Sequence, residues 1–226
     1  MKKILSVYSI AYGVLLMVVL GMLYFYPKVE LHLLLNSHHT SIQDTFFKYY
    51  SMMAEGPLYI LALLPLLWKK KELTIFFALC ELSGGAVLQI IKHIFYSQRP
   101  ASVFEHYNNL ALPVVQGVDL HHSNSFPSGH ASTFFVFFTC CALILAYKYQ
   151  HSSKENKHHS CFLIDVVMLA FLVLAALGAY SRIYLSQHFL SDVCMGSVIG
   201  FITPCLFFYF GRKKILKLKT NEITEK

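Results

Sequence analysis

The chain has 226 residues, of which 56% are hydrophobic, with a formal net charge of +7 at pH 7. The length fits one domain, and a mean hydropathy of +0.52 excludes a soluble fold of this size. An integral membrane protein is the remaining class, and a nucleic-acid partner is not expected because the basic residues follow the membrane topology described below.

Six apolar runs predict six transmembrane helices, most of them close to the roughly 20 residues that a spanning helix needs. The runs lie near Ile4 to Tyr26, Met52 to Trp68, Leu73 to Phe95, Gly129 to Tyr147, Cys161 to Tyr180 and Val193 to Phe210. The first begins like a secretory signal, but it is long for one and has no small-residue cleavage pattern before Pro27, so we interpret it as a retained helix. The fold class is therefore an all-α polytopic membrane protein with six transmembrane helices, and the polar stretches described below lie at the ends of helices three to six.

The outer segment from Lys28 to Glu55 mixes apolar and polar residues and predicts one or two short helices along the membrane surface. His38 and His39 in it are interpreted as a solvated pair, because adjacent histidines do not share a helix face. Pro57 and Pro65 interrupt the second apolar run, so its outer boundary is open between Phe46 and Pro57.

The distribution of charge predicts the orientation. With the N-terminus inside, 14 of the 19 lysines and arginines fall on the cytoplasmic side, as the positive-inside bias requires. Both termini are then cytoplasmic, and residues 212–226 form a basic tail after a domain whose core spans about 73–211. The six cysteines lie in or at the ends of apolar runs and show neither a disulfide framework nor a zinc spacing.

Polar residues follow the third apolar run. Lys92 and Arg99 are seven residues apart, and Pro100 disfavours helix at Arg99, so the chain turns there. The two cations can then converge on one anion, the arginine as a planar fork and the lysine as a point charge. Snorkelling to lipid headgroups is the alternative for either one alone.

The fourth helix opens with Phe126-Pro127-Ser128-Gly129-His130. Proline suits a first helical position, and the amides of Ser128, Gly129 and His130 would point at an anion with the helix dipole behind them. His130 then stands near a bound phosphate, where it can protonate a departing oxygen. A Pro-Gly helix start with an incidental histidine is the alternative.

The stretch from Ser181 to Asp192 places a serine, an arginine, a histidine and an aspartate between two apolar runs, where polar side chains are costly unless they serve a site. A carboxylate beside an imidazole, as for Asp192 and His188, fixes its tautomer and raises its basicity. Arg182 supplies a fork suited to a phosphate. A loop with a helix cap at Ser186 or Ser191 is the alternative.

The orientation places all three polar stretches on the same outer surface. They resemble the three motifs of the phosphatidic-acid-phosphatase type 2 superfamily of membrane lipid phosphatases: Lys, six residues, Arg-Pro at Lys92 to Pro100; Pro-Ser-Gly-His at Pro127 to His130; and Ser-Arg, five residues, His, three residues, Asp at Ser181 to Asp192. Together the three are a specific signal, and the resemblance covers the chain from about the third helix to the sixth.

The resemblance implies a role for each matching residue. His188 is expected to be the nucleophile that forms a phosphohistidine, Asp192 to orient it, and His130 to protonate the leaving lipid alcohol. The phosphoryl oxygens are expected to contact Lys92, Arg99, Arg182, Ser128 and the Gly129 amide, so that neither a metal nor another cofactor is required.

A site on the outer surface implies a lipid phosphate from the outer leaflet and, in a Gram-negative bacterium, a periplasmic active site in the inner membrane. Among family substrates we place the lipid A 4'-phosphate first, followed by undecaprenyl diphosphate, phosphatidylglycerol phosphate and phosphatidic acid. A phosphotransferase and a non-catalytic lipid-binding bundle are the alternatives of a different class. The oligomeric state, the role of the 101–126 loop and that of Glu81 inside the third helix stay open.

Overall fold

The structure is a computed structural model that describes residues 2–56, 59–61, 63–64, 71–107, 109–150 and 161–216. In this part of the chain the regular elements are helical: α1 (Lys2–Phe25), α2 (Lys28–Leu35), α3 (Ser41–Met52), α4 (Lys71–Ile94), α5 (Pro100–Phe104), α6 (Gly129–Gln150), α7 (Cys161–Tyr184) and α8 (Leu190–Leu216). The all-α fold class is thereby confirmed.

Five of the described helices, α1, α4, α6, α7 and α8, are long and apolar enough to cross a membrane. They correspond to five of the six predicted spans, and the chain is a multi-pass membrane protein. The second predicted span, Met52 to Trp68, lies partly outside the described residues, which include helical turns at 59–61 and 63–64. Two helices are longer than their apolar runs predicted: α7 continues past Tyr180 to Tyr184, and α8 begins at Leu190, before Val193. Arg182 therefore lies in a helix and not in a loop.

Helix α6 is the centre of the bundle and makes its most extensive contacts with α7 and α8. Glycines permit this close packing. A Cβ on Gly196 or Gly200 of α8 would overlap the carbonyl oxygen of Ser128 or Ser132, and a Cβ on Gly178 of α7 would overlap the ring of Phe134. This spacing of small residues lets the backbones of two membrane helices approach closely.

The outer segment forms two short helices, α2 and α3, as predicted. Helix α3 begins with a capping bond from the Gln43 amide to the Thr40 hydroxyl and packs against α7, where the Tyr50 hydroxyl donates to the Leu174 carbonyl. The interpretation of His39 as solvated was wrong. Its ring nitrogens lie 3.0 Å from Asp44 Oδ1 and 2.9 Å from Asn36 Oδ1, so the residue joins α2 to α3.

The chain direction brings the three polar stretches to one end of the bundle. Helices α4 and α7 end there, and α6 and α8 begin there. The loop between α5 and α6 returns to the same end, because the Arg99 amide donates to the His122 carbonyl and the Ser125 amide to the Ser97 carbonyl. The predicted turn at Arg99 is confirmed, since Arg99 is extended and Pro100 opens the short helix α5.

Candidate active site

The end of α7 fixes Arg182 and His188 to one carbonyl group. Ser186 has a left-handed φ of 51°, its amide donates to the Ile183 carbonyl, and the Gln187 amide donates to the Arg182 carbonyl. This pattern is a Schellman helix end with serine where glycine is usual. The His188 amide also donates to the Arg182 carbonyl, at 3.0 Å, so the backbone of the two residues is held as a unit.

The Ser186 hydroxyl explains why serine occupies this left-handed position. It donates to the Pro113 carbonyl at 2.6 Å and accepts from the Asn36 side-chain amide at 2.9 Å, while His32 Nε2 lies 3.2 Å away. A glycine would relieve the backbone but lose these bonds. Residues of α2 and the loop before α6 therefore hold the helix end that carries His188.

Asp192 lies in the first turn of α8, where its carboxylate accepts from the Phe189 amide at 2.9 Å in the manner of a helix-capping residue. Its Oδ2 is 3.7 Å from His188 Nδ1, which is an ion-pair distance and too long for a direct hydrogen bond. The expected pairing of the two residues is therefore indirect in this structure.

Ser125 completes the pairing and was missed at the level of sequence. Its hydroxyl donates to Asp192 Oδ2 at 2.5 Å and lies 3.5 Å from His188 Nδ1. Both Ser125 and Asp192 are almost entirely buried. A serine two residues before a proline has no distinctive spacing, so only the fold reveals its position between the carboxylate and the imidazole.

His188 is 2% exposed, and its burial lowers the pKa of the imidazole from 6.5 to about 4. The ring is therefore neutral at pH 7, as a nucleophile requires. Because Nδ1 faces Ser125 and Asp192, Nε2 is the nitrogen available to attack a substrate.

Ser128 differs from its expected role in one respect. Its amide does not point at an anion but donates to the Asp192 carbonyl at 2.9 Å, and its hydroxyl accepts from the Ala131 amide at 3.4 Å as the N-cap of α6. Pro127 accordingly precedes the helix, which begins at Gly129. The amides of Gly129 and His130, in the first turn, have no acceptor within the helix and remain suited to an anion.

The three cations are tied to the loops around the site. Lys92 Nζ donates to the Asn124 carbonyl at 3.3 Å, and Arg99 donates to the Ser123 carbonyl at 2.9 Å and to the Gln187 carbonyl at 3.1 Å. Arg182 is 9% exposed; its Nη1 donates to the Ser51 hydroxyl at 2.5 Å, and its buried Nε has no hydrogen-bond partner among the described residues. An unpaired guanidinium nitrogen is a donor left for an anion.

His130 and Arg182 line a cavity of about 380 Å³. Its remaining lining falls into three groups: α3 and the turn after it, the loop before α6, and the end of α7, with Lys48, Ser51, Met52 and Glu55 in the first, Gly117, Val118, Asp119 and His121 in the second, and Leu185 and Gln187 in the third. His130 is also close enough to His188, Lys92, Arg99 and Arg182 to interact with them electrostatically. The structure thus brings all eight residues predicted from the sequence to one end of the bundle.

Glu81 does not belong to this cluster of contacts. Its Oε1 accepts from the Thr133 hydroxyl at 2.5 Å, one helical turn beyond His130 on α6, and its Oε2 has no partner among the described residues. The carboxylate therefore links α4 to α6 inside the membrane.

Comparison with known proteins supports the family indicated by the motifs. Residues 73–216, more than half of the chain, match the PAP2 superfamily. The structure aligns with the crystal structure of Aquifex aeolicus LpxE with a TM-score of 0.60 and 26% identity, over 82% of this chain and 96% of that one.

The chain is also similar to dolichyldiphosphatase 1 of Rhinolophus ferrumequinum, with 29% identity over 140 residues, which are 60% of this chain and 53% of that protein. The human dolichyldiphosphatase 1 is 29% identical over 92 residues, 41% of this chain and 38% of that protein. The chain thus spans about half the length, or less, of these curated relatives.

Proposed function

The chain belongs to the PAP2 superfamily, and from this premise we propose that it is a membrane phosphatase that removes a phosphate group from a lipid. The observation that carries the proposal is the position of His188, which is neutral and buried and whose Nδ1 faces Ser125 and Asp192. The guanidinium group of Arg182, in the same site, has an unpaired donor. Binding a phosphate needs cations and amides, but it does not need an oriented imidazole.

The proposed reaction has two displacements at phosphorus. His188 Nε2 attacks the phosphoryl group, the N–P bond forms as the P–O bond to the leaving oxygen breaks, and His130 gives its proton to that oxygen. Water then attacks the phosphohistidine: its O–P bond forms as the N–P bond to His188 breaks, His130 takes a proton from the water, and phosphate leaves. Lys92, Arg99 and Arg182, with the Ser128 hydroxyl and the Gly129 amide, would stabilise the charge on the phosphoryl oxygens.

The proposed site uses side chains and amides of this chain for every charge in the reaction. We therefore propose that no metal ion or other cofactor is needed. Phosphate release in excess EDTA is expected to equal that without EDTA, and loss of activity that a divalent ion restores would contradict this part of the proposal.

For the substrate we place the lipid A 4'-phosphate first, because a compact six-helix chain with a long, mostly uncharged outer loop resembles the bacterial lipid A phosphatases of the family. Undecaprenyl diphosphate is the second candidate, favoured by the similarity to two dolichyldiphosphatases, whose name specifies a polyprenyl diphosphate. Phosphatidylglycerol phosphate and phosphatidic acid follow. We propose that the site lies on the periplasmic face of a bacterial inner membrane, with both termini in the cytoplasm.

Phosphate release by the purified full-length protein tests the proposal, measured side by side on lipid A, undecaprenyl diphosphate, phosphatidylglycerol phosphate and phosphatidic acid. Replacement His188→Ala is expected to lower release by about four orders of magnitude or more, as removal of a nucleophile does, while lipid binding is retained. Binding without release in the unmodified protein would favour the non-catalytic alternative. Transfer of the phosphate to a second lipid instead of water would favour the phosphotransferase.

A further inference from the structure

The cavity of about 380 Å³ beside His130 contains charged residues that the proposed reaction does not use. Its volume lies within the range of about 300–1,000 Å³ that ligand pockets span. Lys48, Glu55 and Asp119 line it together with Arg182, whose buried Nε lacks a partner among the described residues. The cavity therefore combines an unsatisfied phosphate-binding group with carboxylates of no assigned role.

The side of the reaction that this cavity serves follows from its lining. Nucleophile and leaving group stand on opposite sides of phosphorus in an in-line displacement. His130, the proposed acid for the leaving oxygen, lines the cavity, and His188, the proposed nucleophile, does not. The leaving group is then on the His130 side and enters the cavity.

The charges of the cavity indicate what kind of leaving group it accepts. Glu55 is close enough to Arg182 to interact with it electrostatically. Asp119 is held in the loop before α6 by its backbone carbonyl, which accepts a hydrogen bond from the Gln187 side-chain amide at 2.5 Å. When a phosphoryl group binds Arg182, the remaining charged side chains of the lining are one lysine and two carboxylates. Lys48 already donates to the Gln116 carbonyl at 3.4 Å. A second phosphate in this space would meet repulsion, whereas carboxylates accept strong hydrogen bonds from hydroxyl groups.

We propose that this cavity binds the leaving group of the proposed reaction as an uncharged headgroup that bears hydroxyl groups, a sugar in chemical class, in preference to a second phosphate. Glu55 and Asp119 accept from its hydroxyls and repel an anionic leaving group. The inference rests on the proposed function. It favours a phosphorylated glycolipid over a polyprenyl diphosphate, whose leaving group is itself a phosphate.

The test compares kcat/KM for phosphate release from monophosphoryl lipid A, phosphorylated at the 4' position alone so that its leaving group is an uncharged sugar, with that from undecaprenyl diphosphate, in mixed micelles with the full chain. Glu55→Gln and Asp119→Asn keep the size of each side chain and remove its charge. Each is expected to lower kcat/KM for lipid A by about three- to tenfold, the loss of one hydrogen bond, and to raise that for the diphosphate, so that the ratio of the two falls by at least about tenfold. Lys48→Met is expected to move the ratio in the opposite direction.

Glu105→Gln is the matched control, because Glu105 is an exposed carboxylate in the same part of the chain, paired with His122 at 3.4 Å and outside the cavity. A ratio that changes no more in Glu55→Gln and Asp119→Asn than in Glu105→Gln overturns the inference and leaves the phosphatase proposal standing. Absence of phosphate release from every lipid by the unmodified protein overturns the proposed function itself. Elution as one species in size-exclusion chromatography, as for the unmodified protein, identifies variants that have folded.

Discussion

The two walls of the cavity beside His130 come from different parts of the chain. One wall, with His130 and Arg182, comes from residues 73–216, which match the family and carry its motifs. The other, with Lys48, Ser51 and Glu55, comes from α3 and the turn after it, outside the matched residues. In the proposed reaction the first wall holds the phosphoryl group and the acid, and in the proposed headgroup site the second wall selects the substrate.

Apart from removal of the proposed nucleophile, the largest effect is expected where the two walls meet, at Arg182. Arg182→Lys keeps the charge but removes the planar fork, and we expect kcat/KM for all lipids to fall by about 10²- to 10³-fold, as for the loss of one group that stabilises transition-state charge. Ser51→Ala removes only the partner of Nη1, so a loss of about tenfold or less is expected. Phosphate release measures both. Equal losses of kcat/KM in the two variants would contradict the view that Arg182 binds the phosphoryl group and that Ser51 only holds Arg182 in place.

A second effect concerns stability and arises from His32 of α2, which is 1% exposed. Burial lowers the pKa of its imidazole from 6.5 to about 4. The unfolded chain therefore binds a proton that the folded chain does not, so stability falls as the pH is lowered from about 6.5 to about 4. Through this group, the free energy of unfolding falls by about 3 kcal/mol over that pH range. Nearby Lys28 lowers the pKa further and Asp192 opposes the shift.

His32→Gln is expected to reduce this pH dependence of the melting temperature in detergent. His188 keeps its own part of it, because its pKa is lowered to about 4 by the same cause. His106→Gln, at an exposed position, is the control and is expected to leave the pH dependence unchanged. If His32→Gln gave the same pH profile as the control, the buried neutral histidine would not be a stabilising contact between the outer segment and the core.

Helices α6 and α8 belong to residues 73–216, the matched core of the chain. They approach each other so closely that one added methyl group should lower the stability. Gly196→Ala places a Cβ against the Ser128 carbonyl, and we expect the free energy of unfolding to fall by about 1–3 kcal/mol through overpacking. Gly85→Ala, in α4, has open space around the new Cβ and is expected to be neutral or slightly stabilising because alanine favours helix. Thermal unfolding in detergent distinguishes the two, and equal melting temperatures would contradict the tight contact.

The sequence predicted the core well because its signals are periodic or closely spaced. Apolar runs located five spans, and three motifs located His130, His188 and Asp192 at the same end of the bundle. The contacts that pattern could not show are those made by residues of ordinary type at long sequence separation. Ser51 reaches Arg182 across 131 residues, and Asn36 reaches Ser186 across 150.

Helix ends were the other weak point, and the reason is physical. Tyr180 was predicted as the end of α7 because the apolar run stops there, but the helix continues to Tyr184 because the Schellman bonds around Ser186 terminate it. Serine in a left-handed position gives no sequence signal comparable to glycine. Likewise, the amide of Ser128 was expected to face an anion. Only the fold shows that this amide donates to the Asp192 carbonyl instead.

Ser125 gives the finest test of the matched core, since it acts on the imidazole only through Asp192 and its own hydroxyl. Ser125→Ala leaves Asp192 with the Phe189 amide and the Ser191 hydroxyl as donors, so the carboxylate stays charged but is held less firmly. We expect kcat to fall by about tenfold, the value of one hydrogen bond, with KM unchanged because Ser125 is not expected to contact the phosphate. Ser123→Ala, two residues away and exposed, is the control for the loop. A rise in KM with kcat unchanged would place Ser125 in substrate binding instead, and would leave Asp192 at 3.7 Å to orient the nucleophile without a bridge.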